Sequence, residues 1–329
     1  MATTTVEPLG QPVPPYSEHE HDKLGPLGTK TSVLENEHEL RRALVGEFAA
    51  TADAAREAAG KVDANLNTAV HDYRKALRRA RAVLSLVAGA LPKSERRAVR
   101  RALQEARRGV SPTRDHAVAP EVIHGLALDE VSRDAANAII ENAKAALPPN
   151  PEIKQLLAEG AARAAAQVEA LEAALPANLE WDTIEKGVRN TYDAARRARR
   201  SAKRSKRQFH TWRRRSKELT YQLDVIASLA GGHVTELAHE IEGVADTQSP
   251  AVDLVMVRDF VRTYGQGIAP EAYDQLVHTI DGQLDDLMRD SRSAGREAFR
   301  KKPRKFARRL AKAVRKDLTP PAADDVVTD

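Results

Sequence analysis

Two stretches of this 329-residue chain each place a histidine at the head of a ladder of cations. In the first, His71 precedes Arg74, Lys75, Arg78, Arg79 and Arg81; in the second, His210 precedes Arg213, Arg214, Arg215 and Lys217. Positions three, four and seven after the histidine share one face of an α-helix and rise about 10 Å along it. Arginine offers a rigid fork of donors that grips phosphate oxygens in pairs, while lysine acts as a mobile point charge. A mixed ladder suits a flexible, repeating polyanion. The imidazoles add a donor that strengthens as pH falls, since a free histidine titrates near ~6.5.

The theme recurs twice more. Arg196, Arg199, Arg200 and Lys203 follow Tyr192 at three- and four-residue steps, and Arg296, Arg300, Lys301, Arg304, Arg308 and Arg309 surround Pro303. The net charge of +5 conceals this segregation: residues 71–108 hold 12 basic and 3 acidic side chains, 189–217 hold 13 and 1, and 289–316 hold 13 and 2. Ordinary solvated helices interleave acid with base at four-residue spacing. Asp193 is the sole acid in 189–217, so mutual repulsion is unrelieved there and an anionic partner would relieve it. The residues expected to hold that partner are His71, Arg74, Lys75, Arg78, Arg79, Arg81, Arg196, Arg199, Arg200, Lys203, His210, Arg213, Arg214, Lys217, Arg300, Lys301 and Arg304.

Other chemistry finds little support. The chain has no cysteine, which removes disulfides, thiol nucleophiles and zinc–thiolate sites. His19, Glu20, His21 and Asp22 are metal ligands by type, but they fall in a segment read as a solubilising arm. His239-Glu240 opens an HExxH-like run in which Gly243 takes the place of the second histidine. Neither GxxxxGK[ST] nor GxSxG occurs. Asp115, Asp129 and Glu130 could cluster as carboxylates, with helix capping near Arg114 and Asp115 the simpler role. No metal, cofactor or catalytic residue is therefore expected.

Helices must position these cations. Leu77, Leu84 and Leu91 recur every seventh residue, with Ala80, Val87 and Ala88 filling the same stripe, which predicts a helix over 65–91. Similar patterns predict helices at 36–59, 93–108, 114–126, 128–147, 150–175, 181–206, 207–230, 234–244, 250–264, 269–302 and 303–317, punctuated by prolines and by Gly231-Gly232. Strand alternation never lasts more than a few residues. Aromatics make up 4% of the chain, so the core must be built from Leu, Val, Ile and Ala packed helix on helix, with Trp181 and Trp212 as anchors. Residues 1–33, rich in Pro, Gly and Thr, and the acidic tail 318–329 read as disordered. No apolar run reaches the ~18 residues of a membrane span, and the reading is of a cytoplasmic protein.

The chain also resembles itself. His71 to Arg78 can be laid on His210 to Lys217 at an offset of 139, and Leu84 then meets Leu223; further on, Gly109-Val110 pairs with Gly243-Val244 at a shorter offset. This predicts an all-α fold of two related antiparallel bundles, 34–180 and 181–317, each with about four long helices, with the basic faces turned towards a shared central groove or pore.

The run His210-x-x-Arg213-Arg214-Arg215-x-Lys217-x-x-x-Tyr221 resembles the basic helix of the CHAD family, the conserved histidine α-helical domain. His71-x-x-Arg74-x-x-x-Arg78-Arg79-x-Arg81 resembles its first-half counterpart, and Thr113-Arg114-Asp115 a short motif of that family. The resemblance covers residues 36–317 and implies two pseudo-symmetric four-helix bundles that bind inorganic polyphosphate, often in proteins of polyphosphate granules. Glu218 and Thr220 stand where the family has basic residues, and Asp246-Thr247-Gln248 repeats the short motif only loosely. The acidic strands of the triphosphate-tunnel enzymes often fused to this family are not found.

Non-enzymatic polyphosphate binding is thus the leading expectation. The alternative is a nucleic-acid-binding protein using the same surface, disfavoured by the shortage of aromatic stacking platforms. A phosphohydrolase would need carboxylates beside the basic windows. A scaffold that polyphosphate recruits to granules, where the arm or the acidic remainder contacts other granule proteins, is compatible with the same residues.

Overall fold

The computed structural model describes residues 37–318 apart from 109 and 204. The N-terminal arm with His19 to Asp22 and the tail beyond 318 lie outside the described residues. Within them the fold is all-α: thirteen helices and no strand.

The first half comprises α1 (Glu37–Gly60), α2 (Leu66–Leu86), α3 (Lys93–Arg108), α4 (Ser111–His124), α5 (Glu130–Ala145), α6 (Asn150–Ala165) and α7 (Gln167–Ala174). The second comprises α8 (Trp181–Ser201), α9 (Lys206–Leu229), α10 (Gly232–Thr247), α11 (Ser249–Tyr264), α12 (Pro270–Ala298) and α13 (Pro303–Leu318). Local chemistry starts the two ladder helices alike. The Asn65 side chain accepts from the Thr68 amide at 2.9 Å at the head of α2, and the Ser205 hydroxyl accepts from the Gln208 amide at 3.2 Å at the head of α9.

Several boundaries depart from expectation, among them the end of the predicted 181–206 helix, which stops at Ser201. The predicted 65–91 helix stops at Leu86, and Leu91 stays buried beyond a turn through Gly89; seven-residue leucine spacing reports burial, not continuity. The predicted 269–302 helix stops at Ala298, where the Tyr192 hydroxyl donates to the carbonyls of Ala298 and Lys301, both at 3.1 Å, and holds the chain in a corner. The predicted 150–175 helix is two, α6 and α7, joined at Ala166; nothing in the sequence there explains the break.

The central pair is α2 packed on α9, with α4 on α11 and α5 on α12 alongside, so that a helix of one half repeatedly meets a helix at a similar place in the other. Helix starts pair at spacings of 138 to 140 residues: Leu66 and Lys206, Lys93 and Gly232, Ser111 and Ser249, Glu130 and Pro270. These spacings stay within a residue of the histidine offset as far as α5 and depart from the shorter offset of Gly109 against Gly243, a local Gly-Val match that helix positions do not follow. One continuous apolar core runs through both halves.

The aromatic residue two places after each histidine is buried against a glycine. Tyr73 is fully buried, and a Cβ added to Gly160 would fall 1.9 Å from its hydroxyl; one added to Gly295 would fall 2.3 Å from the Trp212 ring. Any larger residue at either glycine would collide with the ring that seats its ladder helix.

Candidate anion-binding site

Four helices contribute to one concentration of charge. From α2 come Arg74, Arg78 and Arg81, from α3 Arg100, Arg107 and Arg108, from α4 Arg114, and from α9 His210, Arg213 and Arg214. Burial lowers the pKa of Arg74 most, and the neighbouring charges of Arg78, Arg114 and Arg107 lower it further, to about 9, with Asp115 opposing. The guanidinium stays protonated at neutral pH, so the depression measures how unfavourably it is crowded. Arg107 is held down by burial and then by Arg78, Arg108 and Arg214. Arg81 is held down by burial and by Arg107, Arg214 and Arg100, against the pull of Glu218. The His210 ring is still open to solvent at one side; its pKa is lowered first by desolvation against the protein and then by Arg214, Arg213, Arg107 and Arg114.

Few acids enter this cluster, and those that do are tied into the frame. Arg114 donates from Nη2 to Asp253 at 2.7 Å, joining α4 to α11, and from Nη1 to Asp115 at 3.3 Å. Asp115 is thus an ion-pair partner within α4 and not a cap; Asp129 does cap, accepting from the Ser132 amide at 2.8 Å. Glu218 accepts from the Ser85 hydroxyl at 2.9 Å and from Arg215 Nη1 at 2.6 Å, which stitches α9 to α2. Arg213 donates to the Ser249 hydroxyl at 2.9 Å.

Several expected site residues stand elsewhere. Arg79 grips Glu47, with Nη2 to Oε2 at 2.7 Å, and that carboxylate, 4% exposed, also accepts from Ser228 of α9. Lys217 is buried and reaches Asp246 of α10 at 3.2 Å. Lys75 is half-buried and His71 exposed on α2. Arg196, Arg199 and Arg200 lie with Arg296 in a separate group on α8 and α12. Lys203 joins Arg289 and Arg292 around a shallow cavity of about 410 Å³. Arg300 pairs with Glu297 at 2.9 Å, the Lys301 carbonyl receives Tyr192, and Arg304 is exposed in the first turn of α13.

The ladders counted from their histidines leave out Arg100, Arg107, Arg108 and Arg114. All four were accessible: the first three lie in the 71–108 window, and Arg114 is the centre of the Thr113-Arg114-Asp115 motif.

A family model described as the CHAD domain matches residues 39–262. The chain belongs to the CHAD family. The match takes in every member of the four-helix cluster and ends within α11, so α12 and α13 fall beyond it. Among curated proteins, none matches the chain. Among the described residues, no helix is long and apolar enough to cross a membrane, and no group of three or more His, Asp or Glu side chains is placed to hold a metal ion.

Proposed function

We propose that this CHAD protein binds inorganic polyphosphate, without transforming it, through the cluster formed by α2, α3, α4 and α9. The observation that carries this reading is the crowding of guanidinium groups from four helices, each lowering the proton affinity of the next. A phosphate chain supplies one negative charge per unit and would relieve that repulsion along its length. The general association of CHAD domains with polyphosphate supports the same choice. Residence on polyphosphate granules in the cytoplasm, beside other granule proteins, follows from it as part of the proposal.

The aromatic residues of the ladders argue against a nucleic acid as the preferred ligand. Tyr73, Phe209 and Trp212 are fully buried and offer no face on which a base could stack. The test is a titration with polyphosphate of defined lengths at two salt concentrations, with duplex DNA of equal phosphate content as competitor. Affinity that rises with chain length, falls with salt and survives the DNA supports the proposal. Displacement of polyphosphate by an equal amount of DNA phosphate overturns it.

A further inference from the structure

Arg196, Arg199, Arg200 and Arg296 form a basic group of their own. Burial and then Arg200, Arg296 and Arg196 depress the pKa of Arg199, while the charges acting most strongly on Arg74, Arg81, Arg107 and His210 come from the α2, α3, α4 and α9 cluster. Helix phase explains the separation. Trp212 of α9 faces Gly295 and Arg199, whereas His210 and Arg214 lie about 160° around the same helix. The two groups therefore occupy opposite sides of α9.

This second side is built to meet negative charge. The nearby carboxylates are taken by other cations: Asp193 by Arg197 at 2.9 Å, Glu297 by Arg300 at 2.9 Å, and Glu240 by Arg309. Arg199, half-buried beside Gly295, has its Nε without a hydrogen-bond partner among the described residues. Arg196 Nε donates to the Phe299 carbonyl at 3.2 Å, fixing the group against the corner between α12 and α13. The next helix then opens with Arg304 and Lys305 and no acid in its first turn, an arrangement its own dipole disfavours and an anion would compensate. One turn back from Arg296 along α12, Arg292 joins Lys203, Lys206 and Arg289 at the shallow cavity, where Asp285 is the one acid of the lining, so a mainly basic surface continues to the end of α8.

We propose that the face carrying Arg196, Arg199, Arg200 and Arg296 is a second seat for a phosphate chain, so that one long polyphosphate can engage both sides of α9 at once. The inference rests on the polyphosphate reading of the first seat and adds a consequence to it: long chains gain affinity by joining two seats, and short chains do not.

The test uses the full chain with tripolyphosphate and with long-chain polyphosphate, in calorimetric titrations of the wild type, R200E/R296E and R78E/R214E. All four substituted side chains lie at least partly open to solvent, and circular dichroism checks that helix content is kept. The wild type should take two tripolyphosphates per molecule and each double variant one. R200E/R296E should bind long chains about tenfold or more weakly than wild type while its remaining tripolyphosphate site is unchanged. A single tripolyphosphate on the wild type, with long-chain affinity untouched by R200E/R296E, overturns the second seat and leaves the first standing. Absence of binding to either probe overturns the polyphosphate reading itself.

Discussion

The helices α2 and α9 carry nearly the same ladder and use it differently. In α2, Arg74, Arg78 and Arg81 all enter the shared cluster while Arg79 turns back to the buried Glu47. In α9, His210, Arg213 and Arg214 enter it, Lys217 turns back to Asp246, and Glu218 stands at the place of Arg79. The aromatic seats differ too. The Tyr73 hydroxyl reaches the Ala106 carbonyl at 3.2 Å, whereas Trp212 Nε1 meets no partner among the described residues. Equal spacing of cations in sequence does not yield equal charge available to a ligand: each helix assigns part of its ladder to holding the other helices.

The largest effect expected from breaking this division is on stability. Arg79→Ala leaves Glu47 buried without its cation and should lower unfolding free energy by about 3–5 kcal/mol in urea denaturation. Its affinity for polyphosphate should change little, which separates it from its neighbour. The double reversal R78E/R214E should weaken long-chain polyphosphate binding by about a hundredfold and flatten the salt dependence, with unfolding midpoints close to wild type. Tyr73→Phe removes one buried hydrogen bond and should cost about 1 kcal/mol by the same denaturation assay.

The smallest effect concerns pH. With its pKa lowered by desolvation and four guanidinium groups, His210 is neutral in the free protein at neutral pH. A bound polyanion offsets those charges and favours the imidazolium, so binding takes up a proton and affinity rises as pH falls. Dissociation constants measured between about pH 8 and pH 6 should fall a few-fold in the wild type and stay flatter in His210→Gln. An identical slope in the variant would show that the ring does not take part.

Much of the fold was legible because apolar periodicity is local. The expected 93–108 and 250–264 helices match α3 and α11 to within a residue, since each needs only its own stripe and its own caps. The ends of α2 and α12 were misjudged because they depend on distant partners, in α12 the Tyr192 hydroxyl. The site was legible as a composition and not as a constellation. A helical wheel sets Arg79 about 100° from Arg78, off the face that Arg74, Arg78 and Arg81 share, but that this second face is spent on Glu47 is decided by a carboxylate on α1. Arg107 and Arg114 enter only when α3 and α4 close over α2.

The bond between Arg114 and Asp253 has a meaning beyond the two helices it joins. The same guanidinium is one of the charges that depress Arg74, so the cluster is fastened to the junction of α4 and α11. A ligand that draws Arg114 towards itself pulls on that helix packing, and binding and stability are linked through this one side chain.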